Sequence, residues 1–137
     1  MLGQEEYGIE MEGVLEIRDY ETVTPIAYVP DFIKGVIRVR ELIAPVLDMR
    51  IKFVPGVVEY SLITTVIIVS MANRVMGMVV DYVLDVIKLH DRRIRPAPDA
   101  GTLVNAEYLA GMVVIGGRTL CLLDIEKLMS MVYKGLT

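Results

Sequence analysis

Short runs rich in valine and isoleucine, each cut off after a few residues by glycine, proline or polar residues, constrain the fold of this chain more than any other feature. β-Branched side chains are stiff at χ1 and pack well on a pleated surface, so such runs favour strands over helices. Gly35–Arg40 and Leu42–Asp48 are close enough to form a hairpin, and Thr64–Ser70, Val75–Val80 and Val83–Leu89 follow as further strands. The clearest turn is Gly116-Gly117, joining Gly111–Ile115 to Arg118–Leu123, because paired glycines reach the positive φ values that a two-residue hairpin demands. The pattern is that of a mainly antiparallel sheet.

Helical signals are shorter. Glu10–Arg18 carries apolar residues at Met11, Val14, Leu15 and Ile17, which predicts one apolar helical stripe. Pro30–Lys34, ending at Gly35, reads as a single helical turn. Asp124 is placed to cap a final helix over Ile125–Tyr133, with Ile125, Leu128, Met129 and Val132 on one face. Asp91–Asn105 contains Pro96, Pro98 and Gly101 without a sustained period and reads as a loop crossing between two sheet regions. Many strands with few helices point to a pair of small barrels, since helices do not alternate regularly with strands.

Composition then narrows the function. The chain has 137 residues, 54% of them apolar and 23% charged, enough for one packed unit. Its 14 basic and 18 acidic residues leave a net charge of −4, against the basic excess of a nucleic-acid binder. The one dense basic cluster, Arg92, Arg93 and Arg95 beside Lys88 and His90, reads as a solvated face. Cys121 is the only cysteine, which excludes an intrachain disulfide. Met1–Glu12 carries four acidic residues and no basic one, unlike a secretory signal, so the reading is cytoplasmic. Apolar stretches such as Val75–Val80 are far short of the roughly 20 residues of a spanning helix, so membrane association is expected only through a partner.

A search for chemistry finds no reactive constellation. His90 is the single histidine and lacks a nucleophile with elbow spacing. No glycine-rich phosphate loop is present, and no cofactor or metal is expected. Asp48, Asp81, Asp85 and Asp124 each fall near the end of an apolar run, where aspartate terminates a strand or caps the next turn. Nine methionines, among them Met71, Met76, Met78, Met112, Met129 and Met131, suit core filling and also surfaces that re-pack around a partner.

The order of segments resembles the CheW family. Leu2–Glu10 is similar to its "LGxEEYGID" opening, Val14–Arg18 to "VxEI", Thr24-Pro25-Ile26 with Pro30–Ile37 to "TPI…PDFIKGVI", and Arg40–Phe53 to "LRGxIxPVxDLRxKF". Later matches run through Val79-Val80-Asp81, Asp85-Val86, Ile94–Pro98, Glu107-Tyr108-Leu109 and Ile125–Leu128. The resemblance implies a single domain over residues 1–137, mainly β, with two intertwined five-stranded SH3-like barrels and short helices. It implies a non-enzymatic scaffold that couples the cytoplasmic tips of chemoreceptors to the regulatory domain of the histidine kinase CheA. A CheW-like regulatory domain of a larger signalling protein, of the CheA C-terminal or CheV-like kind, is the alternative.

Carried over position by position, Val14, Glu16, Gly35, Arg40 and Ile43 match first-barrel positions associated with receptor or kinase contact, and Gly77, Val83 and Val86 match positions near the groove between the barrels. The four apolar residues among them also fit a core, and the two glycines also fit backbone demands. Glu16 and Arg40 are sharper candidates, because a charge among apolar neighbours needs solvent, a partner or a counter-charge. Three departures stand out. Met1-Leu2-Gly3 is all that precedes the Gln4–Glu10 part of the opening motif, which predicts a first barrel lacking its N-terminal strand; Arg38–Glu41 replaces the usual "NLRG"; and Tyr82 stands where the family often has glycine.

Overall fold

The computed structural model describes residues 1–87 and 94–137. The expected basic cluster at Lys88, His90, Arg92 and Arg93 therefore lies outside the described residues. The chain forms strands β1 (Tyr7–Gly8), β2 (Val14–Asp19), β3 (Ile33–Val39), β4 (Leu42–Asp48), β5 (Thr65–Met71), β6 (Arg74–Val80), β7 (Leu109–Ile115) and β8 (Arg118–Leu123). Helices α1 (Met49–Phe53) and α2 (Ile125–Gly135) follow β4 and β8.

The strands make two sheets, one of five in the order β2-β5-β6-β4-β3 and one of three in the order β1-β8-β7. The chain begins in the small sheet, builds the large one, and returns, so the two are intertwined as the resemblance implies. Among the described residues the second sheet has three strands where five are implied. The opening segment belongs to that smaller sheet: Tyr7 and Gly8 run parallel to Cys121 and Leu122. Edge closure of the large sheet is made elsewhere, by Thr24 exchanging backbone hydrogen bonds with Val36 at 3.1 and 2.8 Å. Gly35 makes that approach possible. A Cβ there would lie 2.0 Å from the Thr24 carbonyl oxygen, and its φ of +148° suits glycine.

Strand alternation divides the large sheet into two faces. Val66 and Ile68 of β5, Val79 of β6, and Val39, Ala44 and Val46 of the β3–β4 hairpin bury into one core with Val23. Their neighbours Val69, Met76, Met78, Val80 and Leu47 bury on the opposite face, in a second core shared with α2 and the small sheet. Leu128, Met129 and Val132 of α2 are wholly buried there. Each such side chain contributes about 1.5–3 kcal/mol through burial. The Asp124 side chain accepts from the Lys127 amide at 3.1 Å, as the capping reading expects.

The two hairpins at Gly35–Asp48 and Gly111–Leu123, and the strands over Thr64–Ser70 and Val75–Val80, form as expected. Three local expectations do not hold. Glu10–Arg18 is not a helix: Met11–Gly13 is a single 3-10 turn and β2 follows, antiparallel to β5. The pairing with β5 satisfies its backbone and overrides the apolar spacing. Pro30–Lys34 makes one turn, Ile33 N donating to Pro30 O at 3.0 Å, and then enters β3 directly. Within Val83–Leu89, residues 83–87 form no strand, and 88 and 89 lie outside the described residues.

Candidate functional site

An apolar cleft opens where the two sheets face each other. One wall comes from Met11, Val14 and Ile17, the other from Tyr7, Ile9 and Leu120, and Ile67, Met78 and Val80 form the floor. The segment leaving β6, residues 82–87, lies along the rim and keeps Val83, Leu84 and Val86 at the surface. Val86 is 62% exposed, so most of its apolar area has no partner among the described residues. Glu6 and Arg118, paired at 3.4 Å, provide a charged margin.

Local sequence explains the wall. Along β2, Leu15 and Ile17 alternate with Glu16 and Arg18, which directs apolar side chains to one face and charges to the other. Ile17 stands opposite Ile67, on the cleft side of the sheet. Glu16 and Arg18 occupy the other face and pair with each other at 2.9 Å. That hydrogen bond from Arg18, reinforced by the nearby charge of Arg40, holds the Glu16 carboxyl below its ordinary pKa. Glu16 and Arg40 belong to opposite edges of the sheet, so their mutual influence reflects its curling into a barrel.

A buried polar cluster braces the rim. Asp48 has no exposed surface, and its Oδ1 and Oδ2 accept from Arg50 Nε at 3.1 Å and Nη2 at 3.0 Å. The Arg50 and Ile51 amides also donate to Oδ1, so Asp48 caps α1 while it pairs with Arg50. Tyr60 OH donates to Asp48 Oδ2 at 2.8 Å, and Arg50 Nη1 donates to the Glu59 carbonyl at 2.7 Å. Burial works against the Arg50 charge, but Asp48, Tyr60 and Asp81 together hold its pKa above the ordinary value. Burial and the bond to Asp48 push the Tyr60 phenol up as well. Asp81 at the end of β6 accepts from the Gly3 amide at 2.8 Å, which fixes the opening segment against the cleft.

The predicted site residues separate into three groups. Val14, Val83 and Val86 come together in the cleft. Glu16, Arg40 and Ile43 belong to the barrel: Glu16 is half-buried, Ile43 is 62% exposed, and Arg40 sits in the β3–β4 turn with a φ of +58°. Gly35 and Gly77 are buried, and a Cβ at Gly77 would sit 3.2 Å from Val66. Either can influence a partner only through the strand it shapes. Sequence reasoning missed Ile17 and Leu84 as cleft residues, although the alternation in β2 carried the signal for Ile17. It also missed Arg50 and Tyr60, whose meeting depends on a loop return that no local pattern encodes.

Among the described residues, every buried side-chain nitrogen and oxygen has a hydrogen-bond partner, and no three His, Cys, Asp or Glu side chains group as metal ligands. An open apolar cleft with satisfied polar supports defines a protein-interaction module. The comparisons give the module its family: a CheW-like domain model matches residues 1–132, and the chain belongs to the CheW family. It is 50% identical over 129 residues to the chemotaxis protein CheW of Klebsiella aerogenes, covering 94% of this chain and 78% of that protein. The CheW protein of Treponema pallidum is 30% identical, over 94% of this chain and 78% of its own length. The crystal structure of the scaffolding protein TtCheW from Thermoanaerobacter tengcongensis superposes with a TM-score of 0.79 at 28% identity, covering 90% of this chain and 79% of that one. No helix among the described residues is long and apolar enough to cross a membrane.

Proposed function

We propose that this chain is a non-enzymatic chemotaxis adaptor, a single CheW-like domain that couples the cytoplasmic tips of chemoreceptors to the regulatory domain of CheA. The observation that carries this reading is the apolar cleft between two sheets, open among the described residues, in a member of a family whose solved relative is described as a scaffold. The cleft, with Val14, Val83 and Val86 on its walls and rim, takes a helical receptor tip by its apolar face. Glu16, Arg40 and Ile43 contribute a second contact surface on the barrel, and Gly35 and Gly77 set the strand geometry beneath both. Recruitment to membrane-associated receptor arrays then occurs through these partners.

Co-sedimentation with receptor signalling tips and with CheA tests the reading. Wild-type chain is retained by both, and Glu16→Ala and Arg40→Ala each weaken retention several-fold, about 1 kcal/mol per contact. Retention by neither partner overturns the adaptor reading. Full retention with both substitutions silent overturns only the assignment of Glu16 and Arg40.

A further inference from the structure

Residues 102–104, near the end of the crossing segment, belong to no strand or helix. Val104 is nevertheless wholly buried, in the core shared by the two sheets. A backbone that reaches such a place must find partners for its polar groups. Here the partners are side chains. The Leu103 amide donates to Glu5 Oε1 at 2.8 Å, the Val104 amide donates to Tyr7 OH at 3.1 Å, and Thr102 Oγ1 donates to the Val104 carbonyl at 2.7 Å. Tyr7 OH in turn donates to Glu5 Oε1, so one carboxylate oxygen and one phenol take both amides.

Glu5 and Tyr7 lie in the opening segment, which is held on its other side by Asp81 through the Gly3 amide. Gly3, with a φ of +56°, also leaves room for Leu103: a Cβ there would lie 3.2 Å from Leu103 Cδ1. Beyond the latch residues the segment becomes β1, where Tyr7 stands beside Cys121 and the Cys121 amide reaches the Glu6 carbonyl at 3.4 Å. A pairing of two residues supplies little stability by itself. The Cys121 side chain is buried in the same core as Val104.

We propose that Glu5 and Tyr7 form a latch that docks β1 and residues 102–104 on each other, and that its release frees both as one unit while the five-stranded sheet stays folded. Segments with few ladder bonds open at lower free energy than the sheets they adjoin. The shared phenol makes the opening concerted, because Tyr7 cannot leave Glu5 without also leaving the Val104 amide. Whatever displaces β1 therefore acts on the crossing segment through this one pair, and the reverse holds equally.

Hydrogen exchange of the full chain, followed with urea and combined with maleimide labelling of Cys121, the only cysteine, tests the latch. In the wild type the Leu103 and Val104 amides and the Cys121 thiol are expected to open with one common urea slope, shallower than that of the β5 and β6 amides. A slope equal to that of β5 and β6 overturns the proposal, since the segment then opens only by global unfolding; this measurement needs no variant to fold. Tyr7→Phe and Glu5→Ala are each expected to speed exchange at Leu103 and Val104, and labelling of Cys121, at least about ten-fold. Glu5→Gln, whose amide oxygen still accepts, speeds them less, and Glu10→Ala, an exposed carboxylate of the same segment, leaves them unchanged. Unchanged exchange in both Tyr7→Phe and Glu5→Ala overturns the latch. Faster exchange at Leu103 and Val104 with unchanged Cys121 labelling overturns the coupling to β1. An effect of Glu10→Ala equal to that of Glu5→Ala overturns the assignment too, because loss of any nearby charge would then suffice.

Discussion

Asp48 and Arg50 show how a charged pair tolerates burial. Both side chains are almost completely removed from solvent, 0% and 5% exposed, and each polar atom finds a partner in the pair, the α1 amides, Tyr60 or the Glu59 carbonyl. Breaking one side of such a pair leaves the other charge uncompensated. Arg50→Ala is therefore expected to destabilise the fold by about 3–5 kcal/mol. An Asp48→Leu/Arg50→Met double variant is expected to lose less than either single change, because no fully buried charge is left unpaired and Asp81, one-third exposed, keeps contact with water. Urea unfolding midpoints with an unchanged slope measure both; a double variant as unstable as the sum of the singles contradicts the account. Asp48 at the end of an apolar run signalled a cap, and it is one. Its second role was not legible, since Tyr60 is brought back to it by a loop whose path depends on the finished fold.

At the level of elements, turns carry the conformational strain. The β5–β6 hairpin closes through Ala72 and Asn73, with φ values of 52° and 63°. Asparagine tolerates this region; alanine pays for its Cβ by about 1–2 kcal/mol. Ala72→Gly is expected to raise stability by up to about 1 kcal/mol after the entropy of the added glycine is counted, read as a higher urea midpoint. A lower midpoint would show that the turn relaxes to another geometry. Gly116-Gly117 needs no such relief, with φ values of 55° and 79°, and its hairpin was legible because the turn chemistry and the flanking runs agree locally. The β3–β4 turn differs again: positive φ falls on Arg40 and not on Glu41, the position at which the resemblance leads one to expect glycine. β2 was misread because two periods competed over the same residues. Met11, Val14, Leu15 and Ile17 fit a helix, whereas Leu15 and Ile17 alternating with Glu16 and Arg18 fit a strand, and only the presence of β5 decides between them.

Across the whole molecule, acids that lose part of their hydration on folding, the buried Cys121 thiol and the partly exposed phenols of Tyr7, Tyr60 and Tyr108, resist ionisation at alkaline pH. Burial raises the pKa of Tyr7, Tyr60, Tyr108 and Cys121, helped at Tyr7 by its bond to Glu5 and at Tyr60 by its bond to Asp48. The native chain keeps these protons where the unfolded chain releases them, from ordinary values of 9.0 for the thiol and 10.0 for the phenols. Their contribution is complete below those values and is lost as pH rises through them toward the native ones. Urea midpoints measured from about pH 8 to about pH 11 are expected to fall, with a shallower decline in a Tyr7→Phe/Tyr60→Phe variant. A flat profile in the wild type would contradict the raised pKa values of these groups. The architecture as a whole was legible through resemblance and through many short strands. The lining of the cleft was not, because it is assembled from residues on both sides of the crossover.

One ribbon of backbone supplies both candidate contact surfaces. In β2, Ile17 faces the cleft and its neighbours Glu16 and Arg18 face the barrel mouth, a single peptide unit away. Like the two sides of a coin, they cannot be moved separately: a tilt that suits what lies against Ile17 is the same tilt, reversed, for whatever meets Glu16. Substitutions that reshape one face are thereby restricted to those the other can accept, which yokes the two candidate surfaces to the geometry of one short strand.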